Sequence, residues 1–170
     1  MTDAVLAAAT TAADHALLAA LAREIWHEHY PGLISRAQID YMLERGYSPQ
    51  ALAAEQRAGT RFVLARRAGR AIGFAAVSPD PADAATAWLD KLYVHAEARG
   101  EGLGRRLVAD SLADAARRGA TRLRLRVNRH NVDAVHAYRR LGFAVEAEDV
   151  KDIGAGFIMD DYLMGRALPA

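Results

Sequence analysis

Three glycines at alternate positions are the feature of this chain that most directly indicates chemistry. They lie in a segment that reads Arg99, Gly100, Glu101, Gly102, Leu103 and Gly104. An apolar strand-like run, 88–94, precedes the segment, and a helix-like run, 105–118, follows it. Backbone N–H groups at a helix N-terminus attract anions, and glycines let the main chain approach a bulky group without Cβ clashes. The segment therefore predicts a phosphate-binding loop, with a tight turn that binds no ligand as the alternative.

Two well-known nucleotide-binding loops fit this segment poorly. A Walker loop ends in Gly-Lys-Ser or Gly-Lys-Thr, whereas Arg105 and Arg106 follow Gly104 here. A dinucleotide-binding loop is followed about 20 positions later by an acidic residue that binds a ribose. The corresponding strand-like run carries Arg122 and Arg124 instead. Both interpretations are therefore disfavoured.

The spacing within the loop matches a third pattern. Arg99-x-x-Gly102-x-Gly104 resembles the Arg/Gln-x-x-Gly-x-Gly/Ala signature of the GNAT superfamily, the acetyl-CoA-dependent N-acetyltransferases. Downstream, Asn131 and Tyr138 stand seven residues apart before a Gly-Phe pair at 142–143, which resembles the second signature of that family. Together with the apolar strand before the loop, the resemblance covers residues 89–143.

The resemblance implies a fold, a co-substrate and a set of residues that hold it. The fold is α/β: a mixed, mostly antiparallel sheet of about seven strands flanked by helices, with splayed central strands that admit the pantetheine arm. The co-substrate is acetyl-CoA, with backbone N–H groups at 92–94 stabilising the developing oxyanion. The expected cofactor-binding residues are Leu92, Tyr93, Val94, Arg99, Gly100, Glu101, Gly102, Leu103, Gly104, Arg105, Asn131 and Tyr138.

Tyr138 and Asn131 carry the catalytic part of the resemblance. Seven residues at about 100° each bring both side chains to one helix face. A phenol of pKa about 10 can pass a proton to a thiolate whose thiol has a pKa of about 8.5. We expect Tyr138 to protonate the departing sulfur and Asn131 to contact the pantetheine. The alternative is a core aromatic residue and an ordinary helix N-cap.

The general base is less clearly indicated. Asp90 alternates onto the same strand face as Trp88, Leu92 and Val94, and a carboxylate among apolar neighbours has a raised pKa that suits a base. A bulge in this strand, which the family usually has, would change that facing. Other candidates for a base or substrate contact are Glu28, His95, Asp160 and Asp161, although a surface position is the simpler prediction for each.

Composition limits the class of protein. The 170 residues, without linker or repeat, predict one domain, 1–170. The absence of cysteine and of a signal peptide favours a cytoplasmic location, and no apolar run is long enough for a membrane span. The six histidines show no metal-ligand spacing, so we expect no metal. A homodimer is left open.

Charge is unevenly distributed along the chain. Residues 91–140 hold 12 Lys and Arg against 5 Asp and Glu, whereas the remainder holds 10 against 16. A basic middle suits a polyanion such as the phosphates of coenzyme A. Nucleic acid is not an expected partner, because no aromatic residues alternate with the arginines to stack on bases.

The order of elements agrees with an α/β fold. Helical periodicity follows Asp14, Ser35 and Ser48, each a possible N-cap. Strand patterns predict a short first strand within 5–10 and further strands at 61–65, 71–77, 88–94, 121–128, 143–148 and 157–164, and a helix covers 132–141. Gly142 is placed to end that helix.

The acceptor is the least determined part of the function. We favour a small primary amine, with Glu28, Tyr30 and Tyr41 as substrate-binding residues. The outer segments 34–48 and 153–164 resemble bacterial GNAT proteins that act on small amines, and the strand before Asn131 lacks the glutamate that some N-terminal acetyltransferases carry. A protein or peptide acetyltransferase and a non-catalytic acetyl-CoA sensor are the alternatives.

Overall fold

A computed structural model describes residues 3–169 and contains seven strands and five helices within that range. The helices are α1 (Ala12–His29), α2 (Arg36–Tyr47), α3 (Pro49–Arg57), α4 (Leu103–Arg117) and α5 (Val132–Arg140). The strands are β1 (Val5–Ala8), β2 (Arg61–Arg67), β3 (Arg70–Pro79), β4 (Thr86–Val94), β5 (Arg122–Asn128), β6 (Ala144–Gly154) and β7 (Phe157–Ala167). Among these residues, no helix is both long and apolar enough to cross a bilayer.

One mixed sheet in the order β1-β2-β3-β4-β5-β7-β6 organises the chain. All neighbours are antiparallel except β4 and β5, which pair in parallel over only three residue pairs, from Thr86 opposite Arg122 to Trp88 opposite Arg124. Beyond Trp88 the two strands separate. The predicted splayed, mostly antiparallel sheet is confirmed.

Helices cover both faces of this sheet, so its inner strands are apolar on both sides. In β2, Phe62 and Leu64 face a core formed with α1, α2 and α3. Val63 and Ala65 point the other way, into a core formed with α4 and α5. Burial on both faces explains why β2 reads as a continuous apolar run rather than as an alternating pattern.

Local signals explain most element boundaries. Ser35 and Ser48 accept hydrogen bonds from the first turns of α2 and α3, as predicted. For α1 the N-cap is Thr11, and Asp14 is the third helical residue of a capping box rather than the cap itself. Gly142 follows α5 with a φ of +89°, a conformation that favours glycine.

Candidate active site

The separation of β4 from β5 opens a cleft of about 970 Å³ in the middle of the sheet. From Leu89 to Val94, β4 has a hydrogen-bonded neighbour only on the β3 side. Backbone N–H and C=O groups on the other side are therefore free to meet a ligand. Leu92, Tyr93 and Val94, three of the predicted cofactor-binding residues, line this part of the cleft.

The glycine-rich loop lies where β4 leads into α4. Gly100 and Gly102 adopt φ values of +78° and +81°, and Gly102 is the N-cap of α4. The first hydrogen bond of the helix runs from the Arg106 N–H to the Gly102 carbonyl, so the three preceding N–H groups have no partner within the helix. A Cβ at Gly102 would meet nothing within 4 Å. The loop therefore presents several free donors around open space, which fits a pyrophosphate.

The side chains of the loop have different roles. Arg99, Gly104 and Arg105 line the cleft. The side chain of Leu103 is buried in the core beneath α4, and Glu101 forms an ion pair with Arg67. Gly100, Glu101, Gly102 and Leu103 are not among the lining residues, so in this geometry they could contact a ligand only through their backbone.

Most of the arginines counted in the basic middle of the chain are already paired. Glu146 forms ion pairs with Arg122 and Arg124, and Asp149 accepts a hydrogen bond from Arg126 at 2.6 Å. In contrast, no ion pair is formed by Arg99 or Arg105 among residues 3–169. Arg99 and Arg105 line the cleft, so they supply unpaired positive charge beside the loop.

Tyr138 lies on α5 and lines the cleft between the separated strands. Its ring packs edge-on against Phe143, with centroids 5.8 Å apart. Burial, followed by the neighbouring Tyr30, raises the pKa of Tyr138 well above its ordinary value. The phenol carries its proton at neutral pH, and the raised pKa makes it a weaker acid than an ordinary tyrosine.

Asn131 precedes α5 and has a partner that the sequence did not indicate. Its Oδ1 accepts from the Ala134 N–H at 3.4 Å, and its Nδ2 donates to His29 Nε2 at 3.0 Å. Burial, followed by the positive charge of Arg99, lowers the pKa of His29, so a neutral imidazole accepts this hydrogen bond. His29 thereby ties the end of α1 to the start of α5 across the cleft.

Asp90 occupies a bulge, and the expectation that it lies among apolar neighbours is wrong. Ala76 pairs with Lys91 and Val77 with Leu89, so Asp90 has no partner on β3. The side chain is exposed at the wall of the cleft, while Lys91 is buried and bonded to Glu55 at 2.8 and 2.9 Å. Because Asp90 is not buried, the physical reason for expecting a base at this position is absent.

The far end of the cleft is built by α1, α2 and the β6–β7 hairpin. Tyr41 donates a hydrogen bond to the Ile153 carbonyl at 2.8 Å, and Arg45 donates to the same oxygen at 2.7 Å. Tyr30 is hydrogen-bonded to Tyr93 through their hydroxyls, 3.0 Å apart. Tyr30 and Tyr41 line the cleft as predicted, but Glu28 is exposed on α1 and lies outside it.

Asp161 on β7 is the least expected residue of this end. Only 5% of it is exposed, and its Oδ1 is buried without a hydrogen-bond partner among residues 3–169. Burial raises the pKa of Asp161 to about 6. The simpler prediction, a surface position, is therefore wrong for this residue, whereas Asp160 is partly exposed and bonded to Arg129 Nε at 2.6 Å.

Sequence reasoning also missed several apolar and basic residues of the cleft. Trp26 is buried on α1 at the helical spacing of its apolar residues, and His29, nearly one turn later, is half-buried; both line the cleft. Asn128 ends β5, and no local signal marks it. No group of three His, Cys, Asp or Glu side chains suited to a metal ion occurs within the described range, 3–169.

Comparison with known proteins places this geometry in a family. The model of the acetyltransferase (GNAT) family matches residues 18–143. A streptothricin acetyltransferase from Streptomyces lavendulae is 40% identical over 88 residues, which is 49% of this chain and 43% of that protein. This chain therefore matches less than half the length of that curated relative.

Solved structures show the same architecture. PaiA N-acetyltransferase from Thermoplasma acidophilum, crystallised in complex with coenzyme A, superposes with a TM-score of 0.80 at 24% identity, over 96% of this chain and 99% of that one. A nourseothricin acetyltransferase superposes with a TM-score of 0.59 at 32% identity, over 65% and 66% of the two chains. With the family match spanning most of its length, the chain belongs to the acetyltransferase (GNAT) family.

Proposed function

We propose that this protein transfers the acetyl group of acetyl-CoA to a primary amine of a small molecule. The observation that carries the proposal is the cleft between β4 and β5, which has the free N–H groups of α4 at one mouth and Tyr138 in its wall. A thioester supplies an activated acetyl group, so the protein need only hold it, orient the amine and manage protons.

The loop and β4 would hold the cofactor. Backbone N–H groups around Gly102 and Gly104 suit the pyrophosphate, with Arg99 and Arg105 adding unpaired positive charge. The open edge of β4 at Leu92–Val94 suits the extended pantetheine and offers N–H groups to an oxyanion. Asn131, fixed by His29, would orient the same arm.

Tyr138 is proposed as the general acid. Its hydroxyl is protonated at neutral pH, lines the cleft and would donate to the sulfur as the C–S bond breaks. The nucleophilic amine must reach the carbonyl from the opposite end of the cleft, where α1, α2 and β7 meet.

A small acceptor agrees with the construction of that end. The β6–β7 hairpin is bonded to α2 through Tyr41 and Arg45, and Gln38 donates to the Ile158 carbonyl at 2.9 Å. These contacts join the hairpin to α2 on the side of the cleft where an extended peptide would have to enter. Relatives whose names refer to streptothricin and nourseothricin add support for an amine-bearing small molecule.

The test is release of free thiol from acetyl-CoA in the presence of polyamines, amino acids, aminoglycosides, streptothricin and peptides. We expect a small amine to give the highest kcat/KM, because this ratio measures discrimination between acceptors. Preference for a peptide by about 100-fold or more, about 2.7 kcal/mol, would contradict the small-molecule assignment. Tight acetyl-CoA binding without turnover on any acceptor would favour the sensor alternative.

A further inference from the structure

The six carboxylates of the β6–β7 hairpin differ in whether a cationic side chain pairs with them. Four of the six have cationic partners: Glu146 pairs with Arg122 and Arg124, Glu148 and Asp160 with Arg129, and Asp149 with Arg126 and Lys151. The fifth, Asp152, is exposed at the cleft, where water solvates it, and accepts a hydrogen bond from the Gly154 N–H at 2.8 Å. Asp161 lies among them and forms no ion pair within residues 3–169, although only 5% of the residue is exposed. A buried carboxylate without a nearby cation destabilises the folded protein. The position of Asp161 in a cleft therefore suggests that a bound ligand supplies the positive charge.

The two cations that act most on Asp161, Arg126 and Lys151, are both bonded to another carboxylate. Arg126, its neighbour on β5, is bonded to Asp149 and lies over the Trp88 ring at 4.2 Å. Lys151 on β6 lies 3.3 Å from the same Asp149 carboxylate. On the α1 side stands the phenol of Tyr30, whose pKa burial raises to about 12, so it carries no charge at neutral pH.

Strand geometry directs Asp161 into the cleft. Adjacent side chains on a strand point to opposite faces, and Asp160 reaches outward to Arg129. Asp161 is opposite Asn128 in the β5–β7 pairing, and both residues line the cleft with Tyr30. Trp26 and Tyr41 line the same cleft, and the Tyr41 ring already lies beneath the Arg45 guanidinium at 5.3 Å.

We propose that Asp161 binds the acceptor as a primary ammonium ion and is the general base that deprotonates it. This proposal rests on the proposed acetyl transfer and identifies the class of acceptor as cationic alkylamines. Asp161 takes one proton from the ammonium nitrogen, whose lone pair then forms the C–N bond while the C–S bond breaks. A second nitrogen proton leaves to solvent, and Tyr138 protonates the sulfur and regains its own proton from solvent. Asp161 then releases the proton it took to solvent, so one net proton is released per turnover.

The charged groups around Asp161 set the pH range in which it is ionised and can act as a base. Burial and the carboxylates of Asp149 and Asp160 raise its pKa, while Arg126 and Lys151 lower it. The resulting pKa of about 6 leaves the carboxylate ionised at neutral pH yet closer in pKa to an amine than an ordinary aspartate is. We expect kcat/KM to rise with pH through this value.

The first experiment compares Asp161→Asn with Asp160→Asn, a neighbouring change on the opposite face of β7. With the best amine of the panel, we expect kcat of Asp161→Asn to fall by about 10²-fold or more, and that of Asp160→Asn by less than about threefold. With an analogue carrying a trifluoromethyl group on the carbon that bears the amine, which is largely deprotonated at neutral pH, the deficit of Asp161→Asn should shrink about tenfold. An equal deficit with both amines would overturn the base assignment.

The second experiment does not depend on turnover, so it separates this proposal from the proposed function. Calorimetry measures binding of 1,3-diaminopropane to the wild type and both variants, with and without coenzyme A, which carries no acetyl group. We expect at least about tenfold weaker binding only in Asp161→Asn. Equal affinity in all three proteins, or no binding to the wild type, would overturn the ammonium site whether or not any amine is acetylated.

Discussion

The two ends of the cleft present different kinds of chemical group to a ligand. At the proposed cofactor end, the candidate binding groups are backbone N–H groups of one continuous segment, from β4 through the glycine loop into α4. At the acceptor end, the groups are side chains of α1, α2, β5 and β7, which lie far apart in the chain. The first end therefore has a local sequence signature, and the second has none.

The two ends also differ in the free energy that their charged side chains cost the folded protein. Arg99 and Arg105 at the cofactor end are largely exposed, so water solvates them when no anion is present. Asp161 at the acceptor end is buried and unpaired, so its charge opposes folding. The comparison indicates that the acceptor end contributes less to stability and more to selectivity.

The largest expected effect concerns the stability of the acceptor end. The pKa of Asp161 rises from 3.8 to about 6 on folding, so the folded protein is favoured below the unfolded-state value and loses stability as pH rises through about 6. The loss has an upper bound of about 3 kcal/mol. Asp161→Asn should therefore be more stable than the wild type above about pH 7 and equal to it below about pH 4 in urea unfolding. A wild type that is the more stable protein at neutral pH would contradict the comparison.

Tyr138→Phe tests the chemistry at the junction of the two ends. Removing the hydroxyl while keeping the ring should lower kcat by about 10²-fold, the low end of general-acid effects. Affinity for acetyl-CoA, measured by calorimetry, should stay within about twofold. The control is Tyr162→Phe on β7, which lies outside the cleft beneath Arg129 and should leave kcat unchanged. An unchanged kcat in Tyr138→Phe, where chemistry limits turnover, would remove the acid role.

Gly102→Val tests the cofactor end. A side chain there occupies the space expected for the pyrophosphate, so acetyl-CoA should bind more than about tenfold more weakly, at least about 1.4 kcal/mol. Gly119→Val is a matched control at the other end of α4: its φ of +83° imposes the same backbone strain, and its Cβ also meets nothing within 4 Å. Equal acetyl-CoA affinity in the two folded variants would show that the loop does not bind the phosphates.

The smallest expected effect is that of charge at the loop. Arg99→Gln should weaken acetyl-CoA binding about three- to fivefold at low salt, under about 1 kcal/mol, because the charge is exposed and screened. The difference should decrease as salt is added. Arg139→Gln, an exposed change on α5 outside the cleft, is the control and should leave the affinity unchanged. A salt-independent loss in Arg99→Gln would indicate a role other than charge.

Local patterns were sufficient for most of the elements and for the cofactor loop. The alternation of β5, the caps at Ser35 and Ser48, and Gly142 after α5 each depend on neighbours a few residues away. Strand β6 extends to Gly154, past the predicted end at 148. Residues 149–154 are mostly polar and show no regular alternation, so the sequence did not indicate the extension. Pairing with β7 and the hydrogen bonds from Tyr41 and Arg45 hold that extension.

The sequence by itself determined the family and the sheet class, since both follow from motif spacing within residues 89–143, and it predicted the phosphate loop from the same region. Only the tertiary structure decided which side chains meet at the acceptor end. A single bulge turns Asp90 out of the apolar face, and the pairing of β7 with β5 and β6 buries Asp161. Burial and ion pairing depend on segments distant in the chain, so the two aspartates, indistinguishable by residue type, acquire different environments only when the chain folds.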